Sequence, residues 1–178
     1  MNIDERLLAY KPISVTLNFD WENTTYDERV QMRHDYIEEQ KKKDPNYVGY
    51  DFIEHFSTER GGHKPSEHLI VHTRLVSTIG QIFSVSNRGL WITFGAGVNG
   101  YKDICINGSK NKRLKAHRIV ACTFIPIPEH LKENRYKLVV NHKNDIKSCN
   151  LRSNLEWCTN QEKCNKSSGY GCNIFNTV

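Results

Sequence analysis

Two polar side chains near the end of the chain have types and a spacing that could support proton-transfer chemistry. His142 closes the segment Leu138-Val139-Val140-Asn141-His142, and Asn154 opens the segment Asn154-Leu155-Glu156-Trp157-Cys158. An imidazole titrates near neutral pH, so it can accept or donate a proton during a reaction. Each residue alone also has a simpler interpretation, because a strand-end histidine can bond to backbone and an asparagine can stabilise a turn.

The elements that must position these residues are two short strands and a helix. Both segments have the composition of short strands, and a polar loop lies between them. The sequence Thr159-Asn160-Gln161-Glu162 then has capping-box spacing, which marks a helix start. We expect this helix to end near Gly169. The predicted order of strand, loop, strand and helix brings His142 and Asn154 to the mouth of a hairpin.

Several short motifs in this part of the chain resemble the HNH endonucleases, in particular the phage and intron-homing branch. They have the family's order and spacing and cover Lys115 to about Lys166. The matching motifs are Ala116-His117-Arg118-Ile119-Val120-Ala121, Phe124-Ile125-Pro126, Asn141-His142-Lys143-Asn144, Asn150, Asn154-Leu155-Glu156-Trp157 and Thr159. Upstream, residues 83–89 and Gly100-Tyr101 resemble the small DNA-binding module (NUMOD4-like) that often precedes such nuclease domains. We recognise no family resemblance in residues 1–66.

The resemblance implies the ββα-metal fold and hydrolysis of a DNA phosphodiester with one divalent metal, Mg²⁺ or another such as Mn²⁺. By position in the motif, His142 is the general base that takes a proton from water. Asn141 stands where the family places a metal ligand, and Asn154 holds the loop and helps to orient His142. An amide oxygen and water molecules are suitable ligands for Mg²⁺, which is a hard cation.

The chain departs from the family at the third motif position. The family usually has asparagine or histidine there as the second metal ligand, whereas this chain has Lys163. An ammonium group has only donors and cannot coordinate a metal unless it loses its proton. Asn165 is near, but two residues correspond to about 200° around a helix, so it points away from that face. Three outcomes are therefore open. Asn165 supplies the second ligand in place of the third motif residue, Lys163 replaces part of the metal's charge, or the site is inactive.

The charge distribution fits either a polyanionic partner for the second part of the chain or a solvated basic surface, and charge alone does not separate the two. Residues 1–60 hold eight Lys and Arg against thirteen Asp and Glu, a net charge of −5, and residues 61–178 carry +10. We expect the basic part to bind duplex DNA through Arg88, Lys110, Lys112, Arg113, Lys115 and Arg118. His117 contacts phosphate or packs locally, and packing is favoured. The acidic segment is a candidate site for a protein partner.

The expected fold class is α+β, with three segments. Residues 1–66 form an acidic helical segment, residues 67–115 a β-rich DNA-binding module, and residues 116–178 the nuclease domain. In the first segment, Thr25 and Glu28 form a capping box for a helix that ends at Lys41-Lys42-Lys43, and Asp44-Pro45 starts a second helix through Phe52 and Phe56. Residues 61–66 are a linker.

Short β-type runs follow the linker and precede one more helix. The runs are Leu69–Val76, Ile82–Val85, Leu90–Phe94 and Tyr101–Ile106, separated by turns at Asn87-Arg88-Gly89, Asn99-Gly100 and Asn107-Gly108. A helix is expected over Ala116–Phe124, and Pro126 and Pro128 prevent its continuation.

Neither an export signal nor a membrane-spanning segment is predicted from the sequence, so we expect a cytoplasmic protein, in the host cytosol if it is encoded by a phage. The six cysteines have irregular spacings and are interpreted as reduced thiols. The alternative, a structural zinc on Cys149, Cys158, Cys164 and Cys172, is not favoured because zinc sites usually have short paired spacings. The leading hypothesis is a metal-dependent DNA endonuclease, and the second is a DNA-binding protein on an HNH scaffold whose catalysis is weakened or lost at Lys163.

Overall fold

The computed structural model describes residues 4–56, 69–86, 89–92, 95–96, 98–105 and 113–167. Over these ranges the protein combines helices and strands, which confirms the expected α+β class. The helices are α1 (Ile13–Thr16), α2 (Tyr26–Lys43), α3 (Ala116–Phe124) and α4 (Asn160–Ser167). Short 3-10 segments cover Glu5–Ala9, Val98–Gly100, Glu129–Lys137 and Arg152–Asn154.

The strands pair antiparallel throughout the described part of the chain. They are β1 (Tyr50–His55), β2 (Leu69–Ser77), β3 (Ile82–Ser86), β4 (Gly89–Ile92), β5 (Gly95–Ala96), β6 (Lys102–Cys105), β7 (Arg113–Lys115), β8 (Val139–His142) and β9 (Leu155–Cys158). One sheet has the order β1-β2-β3-β4, a second has β5-β6-β7, and β8 and β9 form a hairpin. Within the described residues, the four predicted β-type runs are confirmed.

Helix α2 begins and ends where the sequence predicts. The hydroxyl of Thr25 accepts a hydrogen bond from the Glu28 backbone, and the Glu28 carboxylate accepts one from the Thr25 backbone, so the capping box is formed. Val30 and Ile37 are buried on the side of the helix that faces the core. Lys41, Lys42 and Lys43 occupy the last turn, where cations interact favourably with the helix dipole.

The second helix expected through Phe52 and Phe56 is wrong, because residues 50–55 form strand β1. Asp44 is the C-cap of α2 and does not begin a second helix: its carboxylate accepts from the Asn46 backbone at 2.9 Å, which forms a turn. The strand then pairs with β2 from Tyr50 opposite Ser77 to His55 opposite Leu69. Its two acids, Asp51 and Glu54, are fully buried and pair with Arg33 and Arg29 at 2.6 Å each, so the strand lacks a simple alternation of apolar and polar residues.

The linker residues 61–66 and the turns at 87–88 and 107–108 lie outside the described ranges. The turn at Asn99-Gly100 is confirmed, since both residues have positive φ angles of 64° and 82°. At the other end of the chain, α3 spans the predicted residues, and α4 begins after a capping box between Thr159 and Glu162. The residues near Gly169 where this helix was expected to end are not described.

One apolar cluster connects helix α2 to α3 and the β8–β9 hairpin. It contains Val30 and Ile37 of α2, Ile53 of β1, most of α3, and Val140 and Trp157 of the hairpin. The Phe56 ring stacks on Trp157 with centroids 5.7 Å apart. The proposed division at residues 66 and 115 stays a prediction, and the pairing of β1 with β2 connects both sides of the first boundary in one sheet.

Four of the cysteine side chains are described as thiols. Cys122, Cys149, Cys158 and Cys164 are free thiols, whereas Cys172, part of the zinc alternative, lies outside the described ranges. In the part of the chain that is described, no helix is both long and apolar enough to cross a membrane.

Candidate active site

The β8–β9 hairpin carries the residues that the sequence singles out. Its register runs from Val139 opposite Cys158 to His142 opposite Leu155, so His142 is the last residue of its strand. Asn154 directly precedes the second strand. The prediction that these two residues lie together at the mouth of a hairpin is confirmed.

Asn154 closes the loop between the two strands. Its Oδ1 accepts from the Asn144 backbone at 3.1 Å, and its Nδ2 donates to Oδ1 of Asn144 at 2.8 Å and to the Cys149 carbonyl at 2.9 Å. The backbone N–H of Lys143 donates to the Asn154 carbonyl at 2.8 Å. These bonds connect both ends of the loop, so the Asn154 side chain is placed to hold the segment that follows His142.

The side chain that contacts His142 directly is Asn150, for which no role is predicted from the sequence. Oδ1 of Asn150 lies 3.1 Å from Nε2 of His142, and both side chains are buried. Because an amide oxygen only accepts, Nε2 carries the hydrogen in this arrangement and Nδ1 is left to accept a proton. Asn150 is one of the motif residues that resemble the HNH family, and that was the only signal pointing to it.

Two aromatic rings line one side of His142. The His117 ring centroid lies 5.0 Å from that of His142, and the Tyr101 ring lies 5.0 Å from His117 and 6.0 Å from His142. Above the Tyr101 ring are the ammonium groups of Lys115 and Lys147, at 4.6 Å and 5.3 Å from its centroid. His117 is buried, in packing contact rather than at an exposed position.

Both histidines are held in their neutral form at pH 7. Burial lowers the pKa of His117 to about 3, and the charges of His142, Lys163, Lys115 and Arg118 add to this effect. The pKa of His142 also lies below its usual value, chiefly through burial. The hydrogen bond to Asn150 opposes that shift, Lys163 reinforces it, and Asp145 opposes it. A neutral imidazole at His142 can accept a proton.

Of the two residues expected to hold a metal, Asn141 is engaged with a protein group, and Asn165 is exposed. Nδ2 of Asn141 donates to Oε1 of Glu156 at 3.0 Å, and Nζ of Lys166 pairs with the same oxygen at 2.8 Å. Nζ of Lys163 lies 3.5 Å from the Val140 carbonyl, next to Asn141. Asn165 is exposed on α4.

The donor set does not fit a firmly held divalent cation. Asn141 offers one amide oxygen, and the residue at the second ligand position, Lys163, brings a positive charge instead of a lone pair. Among the residues with described positions, no group of three or more His, Cys, Asp or Glu side chains could hold a metal. Any ion at this site would therefore depend on Asn141 and solvent.

The expected DNA contacts are only partly described. Arg113 is exposed in β7, and Lys115 lies beside Tyr101 with Asp103 3.5 Å from its Nζ. Arg118 turns inward, where its guanidinium lies over Phe56 at 5.1 Å and Trp157 at 5.3 Å and donates to the Leu138 carbonyl. Arg88, Lys110 and Lys112 lie outside the described ranges.

Comparison with known families identifies the segment that contains these residues. Residues 114–163 match a family model described as HNH endonuclease. This segment is therefore similar to the HNH endonucleases. The HNH match contains His142, Asn150, Asn154 and Lys163, and it confirms the resemblance seen in the sequence. It begins at residue 114, so it does not extend to the upstream module.

One solved structure is similar to the chain over half of its length. It is a structure of DNA binding and cleavage by the HNH homing endonuclease I-HmuI. The two proteins are 31% identical, with a TM-score of 0.41, and the similarity covers 51% of this chain and 49% of the other. The chain thus corresponds to about half of that protein's length. No curated protein matches this chain.

Proposed function

We propose that the protein is a DNA endonuclease of the HNH type that hydrolyses phosphodiester bonds, with His142 as the general base. The observation that carries the proposal is the hydrogen bond between His142 and Asn150 within the HNH segment. That bond directs one ring nitrogen to the protein and leaves the other to accept a proton. Burial keeps the imidazole neutral, which is the form that a base requires.

In the reaction, Nδ1 of His142 removes a proton from water as the water oxygen attacks phosphorus. The bond between phosphorus and one deoxyribose oxygen breaks, and that oxygen takes a proton from solvent. The Asn150 amide accepts from Nε2 and stabilises the imidazolium that forms. Asn154 acts at a distance from the reacting atoms by holding the loop that follows His142. The ammonium groups of Lys115 and Lys147 lie over the neighbouring Tyr101 ring, and the charge of Lys163 acts on His142, so the local charge favours an anionic substrate.

The substrate in this proposal is double-stranded DNA. Support comes from the net charge of +10 over residues 61–178 and from the HNH match. Contacts with phosphates are assigned to Arg88, Lys110, Lys112, Arg113 and Lys115. Arg118 is not included, since its guanidinium packs on two buried rings and does not face solvent.

The role of a metal in this chain depends on Lys163. HNH nucleases generally use a divalent metal, which lowers the cost of charge at the phosphate. Asn141 is the residue that would contact Mg²⁺ or Mn²⁺ here. The cation of Lys163 opposes binding of a second positive charge nearby, so the native protein should respond weakly to these ions.

Lys163 also favours a second candidate function, a DNA-binding protein on an HNH scaffold with little or no cleavage. A plasmid-nicking assay with and without Mg²⁺, combined with a gel-shift measurement on the same DNA, separates the two functions. Nicking that is lost in the His142→Ala variant supports the nuclease. Binding without nicking supports the second function, and the absence of both contradicts the proposal.

A further inference from the structure

The loop between His142 and Asn154 is held by contacts from outside the hairpin. Arg152, which lies two residues after Asn150, is only 8% exposed. Its Nη1 pairs with Oε1 of Glu38 at 2.7 Å, and its Nη2 contacts Nδ1 of His34. Both partners are on helix α2, more than a hundred residues earlier in the chain. The guanidinium therefore connects the acidic N-terminal segment to the loop of the active site.

Two further contacts fix the same residue from other elements. Nε of Arg152 donates to the Phe124 carbonyl at the end of α3, at 3.2 Å. Its backbone N–H donates to the Thr78 carbonyl at 2.7 Å, in the turn between β2 and β3. Side chain and backbone are thus both anchored, so this part of the loop has little freedom to shift.

The β2–β3 turn also contacts Asn150 itself. Gly80 has a φ of 80°, and a Cβ added there would lie 2.6 Å from Cβ and from the carbonyl oxygen of Asn150. Only glycine permits both this backbone conformation and this close approach. The turn therefore packs directly against the backbone of the residue that bonds to His142.

We propose that Arg152 is a positioning residue through which helix α2, with His34 and Glu38, holds Asn150 against His142. The N-terminal segment is then a structural part of the nuclease site and not only a separate module. A guanidinium is suited to this role, because its planar fork reaches a carboxylate, an imidazole and a carbonyl at once, which a lysine cannot do. The catalytic consequence of this inference depends on the proposed function, whereas the positioning itself does not.

The protonation state of His34 is consistent with this arrangement. Nδ1 of His34 can accept from Arg152 only while it carries no hydrogen. Burial and the neighbouring Arg152 charge lower the pKa of His34, while Glu38 and Asp35 oppose that shift. At neutral pH the imidazole therefore remains an acceptor.

The test is an NMR measurement on the full-length protein, with ¹⁵N-labelled histidine and asparagine side chains observed in the variants Arg152→Lys and Glu38→Gln. We expect both variants to shift the ring signals of His142 and the amide signals of Asn150, with Arg152→Lys having the larger effect. The matched control is Glu39→Gln, which breaks an exposed ion pair with Lys43 on the same helix. That variant should leave the His142 and Asn150 signals unchanged.

A nicking assay adds the functional consequence. Loss of alignment should lower kcat by between roughly ten- and a hundred-fold with KM unchanged. The positioning role is overturned if His142 and Asn150 signals in folded Glu38→Gln and Arg152→Lys proteins match those of the control. If Arg152→Lys does not fold, Glu38→Gln alone decides the matter, because the Glu38 side chain is 47% exposed. If the parent cuts no DNA, the proposed nuclease function fails, but the NMR result still tests the positioning role.

Discussion

Nε2 of His142 lies 3.1 Å from Oδ1 of Asn150, and this contact determines which nitrogen of the ring is available for chemistry. An asparagine cannot take the proton from the ring, so it fixes the tautomer and orientation of the imidazole. In the Ser-His-Asp enzymes a carboxylate has the corresponding position and also supplies a charge. The neutral amide at Asn150 stabilises an imidazolium less, which suits a base that has to release its proton again.

Replacement of His142 by alanine should abolish DNA cleavage while leaving DNA binding nearly unchanged. Loss of a general base typically costs about 10²–10⁴-fold in rate, and the buried ring is not placed to contact the DNA backbone. The measurement is the nicking rate of purified protein alongside a gel shift. If His142→Ala nicks as fast as the parent, the assignment of the base is wrong.

Asn150→Ala should have an intermediate effect, with cleavage reduced by roughly three- to tenfold, the equivalent of one hydrogen bond of about 1 kcal/mol. Binding should again be retained. Single-turnover nicking rates for Asn150→Ala and for the double variant with His142→Ala provide the check. Because Asn150 acts through His142, the double variant should be no slower than His142→Ala alone.

DNA affinity should depend strongly on salt. The basic stretch consists of Lys110, Lys112, Arg113, Lys115 and Arg118. If it contacts about four phosphates, a plot of log affinity against log salt should have a slope of about −3.6, from about −0.9 per phosphate. The informative variant replaces Lys110, Lys112 and Arg113 by glutamine and leaves Lys115 and Arg118, which also pack on aromatic rings. Its slope should become shallower by about 0.9 for each phosphate that the altered side chains no longer neutralise. An unchanged slope would locate the DNA on another surface.

Local signals in the sequence predicted the elements that carry the site. The capping boxes at Thr25 and Thr159 each place a helix start at the correct residue, because the two bonds of such a box involve neighbours in the chain. The strands of the hairpin are equally local, and their ends put His142 and Asn154 together. Nothing from distant parts of the chain is needed for either inference.

The features that the sequence did not predict depend on contacts between residues far apart in the chain. Asp44-Pro45 predicts a helix start ahead of strand β1, because a cap and a first-turn proline are local signals. The strand instead depends on distant partners, since Arg33 and Arg29 of α2 pair with Asp51 and Glu54 in the interior. The contacts of Arg152 with His34 and Glu38 span 118 and 114 positions, a separation at which no spacing pattern exists. The inward packing of Arg118 likewise depends on Phe56, which is contributed by the misassigned segment.

The stability of the protein should fall in mild acid, and His117 should account for part of the loss. Its folded-state pKa of about 3 lies below the ordinary histidine value of 6.5, so below pH 6.5 the unfolded chain binds a proton that the folded state rejects. The contribution is complete above pH 6.5 and decreases as pH falls towards 3. Between pH 7 and pH 5 the decrease amounts to roughly 2 kcal/mol, from about 1.4 kcal/mol per pKa unit.

The check compares denaturant unfolding at pH 7 and pH 5 for the parent, His117→Gln and the control His130→Gln. His130 is exposed, so its replacement should leave the pH dependence as it is. His117→Gln should weaken the dependence, even if its stability at pH 7 is lower. Nδ1 of His117 has no hydrogen-bond partner among the described residues, in agreement with a ring that tolerates no added proton. Equal pH dependence in all three proteins would contradict this role of His117.

Replacement of Lys163 by asparagine or histidine should increase Mg²⁺-dependent nicking. The native ammonium lies 3.5 Å from the Val140 carbonyl, one residue before Asn141 in the chain, and its charge repels a divalent ion at Asn141. It also contributes to the low pKa of His142 through the repulsion of like charges. Either replacement removes that charge and supplies an oxygen or nitrogen ligand. The measurement is the nicking rate over a magnesium titration, in which the variant should reach half-maximal rate at a lower concentration than the parent.

The competing idea is that Asn165 supplies the second ligand in the native protein. It predicts the reverse pattern, in which Asn165→Ala abolishes activity and Lys163→Asn changes little. Asn165 is exposed on α4, two positions from Lys163 and therefore about 200° around the helix from it. That placement favours an increase in nicking for Lys163→Asn over a loss of activity for Asn165→Ala.

Lys163→Gln serves as a control, since it removes the charge but has a longer side chain than asparagine. It therefore separates relief of charge repulsion from gain of a metal ligand. Strong native nicking that neither Lys163→Asn nor Asn165→Ala affects would mean that other groups hold the metal, and that Lys163 does not occupy the family's ligand position.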